Sequence, residues 1–365
     1  MLKMKIKNVF LSMLAVTAAF LTTSCENGDR EFDDFDYQTV YFAYQNPVRT
    51  ITLGEDDVYP TDLDNEHKMN VYVTLGGVWK NKQDRHVKIA VDNSLVEGKT
   101  FADGTPIVAM PENYYHLTSN EITIPSGEVM GATTVELTDA FFADAKAPSV
   151  NYVIPLKIID AGNDSILESK NYTLYAVKFK NKYTGCWLSH GTDNINENGT
   201  EYTVVREPED FRKYDLRYLS TVSLTDCTYP IAMEVRRRFK KRDDNGNVVT
   251  DPQTGEIVWE EKKVTFESYV TLSFDGGDKC TIVAKGPDND VFSFASASGT
   301  GQWSSKAAKK AWNDKDRDQL DLNYTCTIKY PYSEDGDDIR TSIFSIKETL
   351  IMRDRQNKFE TFEYK

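Results

Sequence analysis

The chain has 365 residues, with 57 acidic side chains against 43 basic ones and a formal net charge of −14. That surplus disfavours nucleic acid and anionic lipid headgroups as partners, because like charge repels both. The length suits two domains, and 20 tyrosines and 18 phenylalanines with scattered glycine and proline suit a β-rich globular chain better than a linker.

The N-terminus has the layout of a secretory signal. Lys3, Lys5 and Lys7 form a basic start, Val9 to Leu21 is almost wholly apolar, and Thr22-Thr23-Ser24 lead to Cys25. The apolar run is shorter than the roughly 20 residues a spanning helix needs. Residues 1–24 are therefore expected to be removed as a signal peptide. The run Leu21-Thr22-Thr23-Ser24-Cys25 resembles the relaxed lipobox of Bacteroidota lipoproteins, with Thr22 where many lipoboxes have leucine. The resemblance implies lipidation of Cys25 and a membrane partner reached through that anchor. One acyl chain binds marginally, so several chains on one cysteine would release very slowly. Glu26 to Asp36 is acidic and reads as a solvated tether, making residues 25–36 a lipidated linker. It also resembles the acidic export signal that sends such lipoproteins to the outer face of the outer membrane.

Residues 37–180 read as short strands between turn signals. Met69-Asn70-Val71-Tyr72-Val73-Thr74-Leu75 alternates with period two, and Thr39–Tyr44, His86–Val91, Glu121–Ile124, Asn151–Ile159 and Tyr172–Phe179 are similar. This spacing predicts a β-sandwich. Pro155 is expected at an edge or bulge, and Thr138 is expected to cap a short helix.

Residues 181–365 have longer strands. Tyr229–Lys240 and Ile257–Phe274 flank Asn-Gly and Thr-Gly turn signals, which predicts a long hairpin. With Glu201–Arg206, Leu216–Leu224, Lys279–Ala284, Val291–Ala295, Leu320–Tyr330, Ile339–Met352 and Phe359–Tyr364, the pattern predicts an antiparallel barrel or deep sandwich. Ser304–Lys315, rich in alanine, is the helix candidate. Cys186, Cys227, Cys280 and Cys326 lie in or beside strands without a CxxC. The pattern favours buried free thiols, with disulfides left open.

No compact catalytic or metal motif is present. His67, His86, His116 and His190 are far apart, and neither HExxH nor GxSxG occurs. Asp243-Asp244-Asn245-Gly246-Asn247 mimics the start of a calcium loop but lacks its later glycine and glutamate. No metal or cofactor is expected. Sugar rings have apolar faces that stack on aromatic side chains while amides and carboxylates take the hydroxyls. On that ground Trp79, Tyr114, Tyr115, Trp303 and Trp312, with Asn313 and Asp314, are the candidate ligand contacts. Trp187 and Trp259 read as packing residues.

Several segments resemble known families. Residues 37–180, closing with Tyr152-Val153-Ile154-Pro155-Leu156-Lys157-Ile158, resemble an Ig-like domain of unknown function found in surface lipoproteins of Bacteroidota polysaccharide-utilisation loci. Gly185-Cys186-Trp187 is similar to the start of a lipocalin or calycin barrel; there the tryptophan crosses the barrel floor under a late arginine, a place Arg353 could fill. The runs Gly299-Thr300-Gly301-Gln302-Trp303 and Leu320-Asp321-Leu322-Asn323-Tyr324 look like C-terminal domains of unknown function from the same loci. Asp164-Ser165-Ile166 resembles an O-glycosylation sequon, which marks Ser165. The expected fold is all-β, an Ig-like sandwich followed by a lipocalin-like barrel with one short helix. The expected role is non-catalytic: a cell-surface lipoprotein that binds glycan for uptake, beside an outer-membrane importer. The alternatives are an adhesin or assembly subunit that binds protein, and a glycoside hydrolase with an unrecognised carboxylate pair.

Overall fold

The computed structural model describes residues 37–284 and 293–365. Cys25, the signal segment and the tether to Asp36 lie outside the described residues, as does part of the expected Val291–Ala295 strand. Among the described residues no helix is long and apolar enough to cross a membrane.

The chain is almost entirely strand. The first body contains β1 (Thr39–Tyr41), β2 (Pro47–Thr52), β3 (Lys68–Gly76), β4 (Arg85–Val91), β5 (Val108–Ala109), β6 (Tyr115–Leu117), β7 (Glu121–Ile124), β8 (Met130–Leu137), β9 (Tyr152–Asp160), β10 (Ser165–Ile166) and β11 (Tyr172–Lys180). The second contains β12 (Gly185–Glu197), β13 (Thr200–Arg206), β14 (Asp215–Thr221), β15 (Asp226–Lys240), β16 (Trp259–Phe274), β17 (Lys279–Ala284), β18 (Ser293–Ala308), β19 (Arg317–Pro331) and β20 (Ile339–Asp354), and the chain ends with β21 (Glu360–Thr361).

The first body is a two-sheet sandwich, with strand orders β10-β1-β3-β8-β6 and β21-β2-β11-β9-β4-β7. The period-two pattern of β3 turns Met69, Val71, Val73 and Leu75 inward, where they meet Ile51, Val87, Ile154 and Phe179 of the other sheet. Each such fully buried side chain contributes about 1.5–3 kcal/mol. Pro155 lies on an interior strand, not an edge. It opposes Leu174 of β11, while on its other side β4 has already ended at Val91, so its missing N–H falls in a gap in the ladder. Thr138 precedes the one-turn helix Asp139–Ala143, but its hydroxyl donates to the Asn113 carbonyl at 2.8 Å rather than accepting from the helix.

The second body closes on itself. β12 pairs with β14 over Gly185–Ser189 and, along its other edge, with β20 over Cys186–Glu197. The long hairpin forms as expected, with β15 and β16 in register from Asp226↔Ser273 to Lys240↔Trp259. The wall has one weak place. Among the described strands β13 pairs only with β12, and β14 meets β15 only at Ser220↔Thr228 and Thr221↔Cys227, so a slit opens between β13 and β15.

Trp187 is fully buried at the base, its Nε1 donating to the Tyr183 carbonyl at 3.0 Å. Gly185 precedes it because a Cβ there would stand 2.7 Å from the Asp354 carbonyl oxygen. Arg353 does not cover this tryptophan. The strand opposite is bulged, so Met352 faces Trp187 and Arg353 turns away to lie 5.1 Å from the ring centre of Trp312. Ser304–Lys315 is not a helix either. β18 continues to Ala308, pairing Ser304 with Gln319 and Ala308 with Arg317 across a bulge, and only Trp312–Asp314 forms a single 3-10 turn. Helix propensity, a few tenths of a kcal/mol per residue, loses here to the long ladder with β19.

All four described cysteines are buried free thiols. Burial pushes Cys227, Cys280 and Cys326 up to about 12. Since the thiolate is the nucleophile, folded protein at pH 8 is expected to resist alkylation at these three positions and to react fully once unfolded. Mass spectrometry after iodoacetamide treatment checks this; rapid labelling of folded protein would contradict the burial described.

The last residues leave the barrel. β21 pairs with β2 of the sandwich, and Phe362 packs with Phe101, Val153 and Leu174 on the outer face of the second sheet. The span 181–365 therefore does not stay in one body. At the crossing Arg355 is buried, and its guanidinium donates to the carbonyls of Lys182, Leu53 and Asn181 at 2.6–2.9 Å. Burial lowers this group to about 10, so it remains charged at neutral pH. Around it Asp57 pairs with Arg317 and Lys315, and Glu55 with Lys306.

Candidate functional site

The slit between β13 and β15 holds a cavity of about 520 Å³ that reaches from the barrel interior to the outer face of β15 and β16, within the range of small-molecule sites. Strand alternation explains its inner wall, and Ala232, Glu234, Lys263 and Thr265 form its outer rim. Asp193 and Ile195 face inward from β12, and their partners Val204 and Tyr202 present β13 to the same space. Tyr229, Ile231, Met233 and Val235 line it from β15, Tyr324 from β19, and Phe344, Ile346 and Glu348 from β20.

Glu348 organises the floor. One carboxylate oxygen accepts from Tyr229 at 2.7 Å and Tyr324 at 2.8 Å. The other accepts from Ser189 at 2.9 Å and Arg206 at 3.3 Å. A carboxylate has about four acceptor positions, so Glu348 has none left for a substrate. Arg206 also grips Asp193 through two hydrogen bonds of 2.9 Å. Burial opposes the charge on Arg206, but Asp193 and Glu348 more than offset it and the guanidinium holds its proton more tightly than usual. Burial, reinforced by Glu348, pushes the Tyr229 and Tyr324 hydroxyls far up, so both remain donors.

A second buried carboxylate, Glu197, stands further along the same seam. It accepts from Tyr202 at 3.1 Å, Tyr330 at 3.3 Å and the Arg236 backbone N–H at 2.7 Å. Tyr202 and Tyr330 are pushed up to about 12 by burial, with Glu197 adding to it. The remaining charges at the cavity are also paired: Arg217 with Asp215 at 3.5 Å, Lys263 with Glu234 at 2.6 Å, and Arg236 with Glu197 at 3.8 Å.

A larger hollow, about 950 Å³, lies on the outer face of the barrel. Two rungs of side chains cross it: Lys279, Gln302, Asp321, Thr349 and His190, then Thr281, Thr300, Asn323 and Lys347. They are polar, and the hollow has no exposed tyrosine or tryptophan in its lining.

The residues singled out from the sequence lie elsewhere. Trp79 is 65% exposed in a turn of the sandwich. Tyr114 packs edge-on to Phe141 and Tyr152 and donates to Asp144 at 2.7 Å, and Tyr115 packs beside the same core. Trp303 leans on the barrel core against Tyr183, with Lys182 4.5 Å above its ring. Trp312 lies edge-on to Phe211 under Arg353, next to exposed Asn313 and Asp314. None of these lines the cavity or the outer hollow. Ser165 is exposed on β10, beside an Asp164 carboxylate bound by Arg85. Asp243 is a turn residue whose carboxylate accepts the Asn245 and Asn247 N–H groups. Among the described residues no cluster of His, Cys, Asp and Glu is placed to hold a metal. Sequence reasoning missed Glu348, although a signal exists: it sits in the inward register of Phe344, Ile346, Leu350 and Met352, where a carboxylate must have partners.

A sandwich joined to a closed barrel with a lateral cavity defines a two-domain all-β protein. Comparison with known families agrees. A domain of unknown function, DUF5627, matches residues 182–356, and an N-terminal domain model matches residues 35–165. The DUF5627 match stops where the chain leaves the barrel. A crystal structure of a Bacteroides ovatus protein of unknown function is 32% identical, with a TM-score of 0.72, and the match covers 91% of this chain and 99% of that one. The chain belongs to the same family as that protein, a family of two-domain Bacteroidota proteins of unknown function. More distant likenesses are a multidomain Bacteroides ovatus protein that includes DUF1735 (16% identity, TM-score 0.40, covering 86% and 94% of the two chains) and an auxiliary nutrient binding protein of Bacteroides thetaiotaomicron (14%, 0.37, 84% and 90%). These two are too loose to bear on function. No curated protein matches.

Proposed function

We propose that this protein is a lipid-anchored protein of the outer cell surface that binds glycan in its barrel cavity without turning it over. The observation that carries the reading is the cavity itself, where aromatic and aliphatic side chains stand beside eight charged ones held in ion pairs, so that apolar surface and fixed polar groups meet in one concave site. The half-buried Tyr202 offers a face for a sugar ring, while Asp193, Arg206 and Asp215 offer hydrogen bonds to its hydroxyls. The charged start, apolar run and small residues before Cys25 support the anchor, and the acidic residues after it support outward export beside an importer.

Saturation of Glu348 supports binding over hydrolysis. A glycosidase needs one carboxyl free to protonate the leaving oxygen and a second facing it. Here Glu348 accepts four hydrogen bonds, and Asp193 is clamped by Arg206. The protein-binding alternative draws on β13, whose outer edge pairs with no described strand.

The test combines location and binding. Intact cells treated with protease are expected to lose the protein, and Cys25→Ala is expected to free it from the membrane fraction. Folded wild-type protein is expected to bind members of a glycan array and to release no new reducing ends from them. Retention of Cys25→Ala in the membrane would sink the anchor, and an empty array would sink the glycan reading.

A further inference from the structure

We infer that the glycan taken by the barrel cavity is electrically neutral and enters end-on, as a short oligosaccharide or the last units of a chain. This rests on the glycan reading above and specifies the ligand class. Two independent observations carry it.

The first is charge. Every charged side chain lining the cavity is already paired with an opposite charge, in a chain whose net charge is −14. On the buried floor, the acid group of a uronic acid or sulfated sugar would have to draw Arg206 away from Asp193 and Glu348, leaving carboxylates unpaired in a low-dielectric space. A neutral hydroxyl needs no such exchange. It can donate to a spare carboxylate lone pair, or accept from a guanidinium N–H, while the ion pairs stay intact.

The second is shape. Inward, the cavity ends on Tyr229, Tyr324 and Phe344, all buried in a core that also contains Trp187, Leu320 and Leu350. Among the described residues the cavity opens at the β13–β15 slit, and a polymer passing through would need a second opening. The surface on which a chain could lie lengthwise is the outer hollow, and its polar rungs offer no exposed tyrosine or tryptophan for stacking.

The mature full-length chain would be titrated calorimetrically with neutral malto-, cello- and manno-oligosaccharides and with oligogalacturonates, each from one to six units. Affinity for the preferred neutral series is expected to level off within twofold after the first few units. Oligogalacturonates are expected to bind at least tenfold more weakly. Val204→Trp places a ring at the exposed mouth and is expected to weaken binding at least tenfold. Thr265→Trp, exposed on the opposite rim, serves as a second block with a different effect on folding. Asn323→Ala with Lys347→Ala, in the outer hollow, is expected to leave binding within twofold. Affinity that keeps climbing to six units, equal binding of the acidic series, or dependence on Asn323 and Lys347 in place of Val204 would each overturn this inference while leaving a glycan-binding protein. Binding to none of these sugars or to any arrayed glycan would remove the glycan reading and this inference together.

Discussion

Replacing Glu348 by alanine is expected to destabilise the barrel by about 3–5 kcal/mol, the range for removing one partner of a buried ion pair. The side chain is 1% exposed and is the common acceptor for Tyr229, Tyr324, Ser189 and Arg206. Its loss strands two tyrosine hydroxyls and part of a guanidinium, and buried donors without acceptors cost about 1–3 kcal/mol each. Asp193 still holds Arg206, so the guanidinium is not wholly abandoned. Glu348→Gln keeps the shape but substitutes donors for one acceptor oxygen, so it should cost less than alanine and more than a surface change. Urea denaturation followed by tyrosine and tryptophan fluorescence measures the difference. A loss below 1 kcal/mol for Glu348→Ala would show that the hydrogen-bond hub is not what holds β12, β15, β19 and β20 around the cavity.

Arg355→Ala is the second large effect, and it acts between the bodies. The guanidinium joins three carbonyls from Leu53, Asn181 and Lys182, two of them in the connection between sandwich and barrel. Hydrogen bonds to charged groups contribute about 1.5–3 kcal/mol apiece, and alanine also leaves a space the size of the lost side chain. A total of about 3–5 kcal/mol is expected after water enters the gap. The wild-type chain should unfold in one calorimetric transition, because the crossing strand β21 and the Asp57 and Glu55 ion pairs tie the bodies together. In Arg355→Ala that transition should broaden or split in two. An unchanged single peak at the wild-type temperature would mean that the β21 pairing alone couples them.

The strands were legible because period two is a local property. Met69–Leu75 and Glu121–Ile124 each carry their buried face in their own spacing, and the structure places strands there; Tyr172–Phe179 is also a strand, but one buried on both faces. The helix expected at Ser304–Lys315 failed for the opposite reason. Its alanines describe local preference only, while the ladder with β19 comes from residues that follow it in sequence. The place of Arg353 failed by one residue: a bulge between Cys186 and Trp187 shifts the register and hands the inward position to Met352. The aromatics chosen as ligand contacts were chosen by type, and type does not say which way a side chain points. Trp303 turns toward the core, and Trp312 lies under an arginine outside it.

By itself the sequence determined the strand-rich character, the division into a body of short strands and a body of long ones, the long hairpin, and the signal-like start at Lys3 to Cys25. All of these are written in periodicity, turn residues and composition, which need no partner to be read. Only the tertiary structure decided the closure of β12 on β20, the return of β21 to the sandwich, and the cavity. Each depends on which residues far apart in the chain become neighbours. Ser189, Arg206, Tyr229, Tyr324 and Glu348 share one hydrogen-bonded cluster across 159 positions, the separation of Ser189 from Glu348. No local pattern encodes that meeting; it follows from how the strands close.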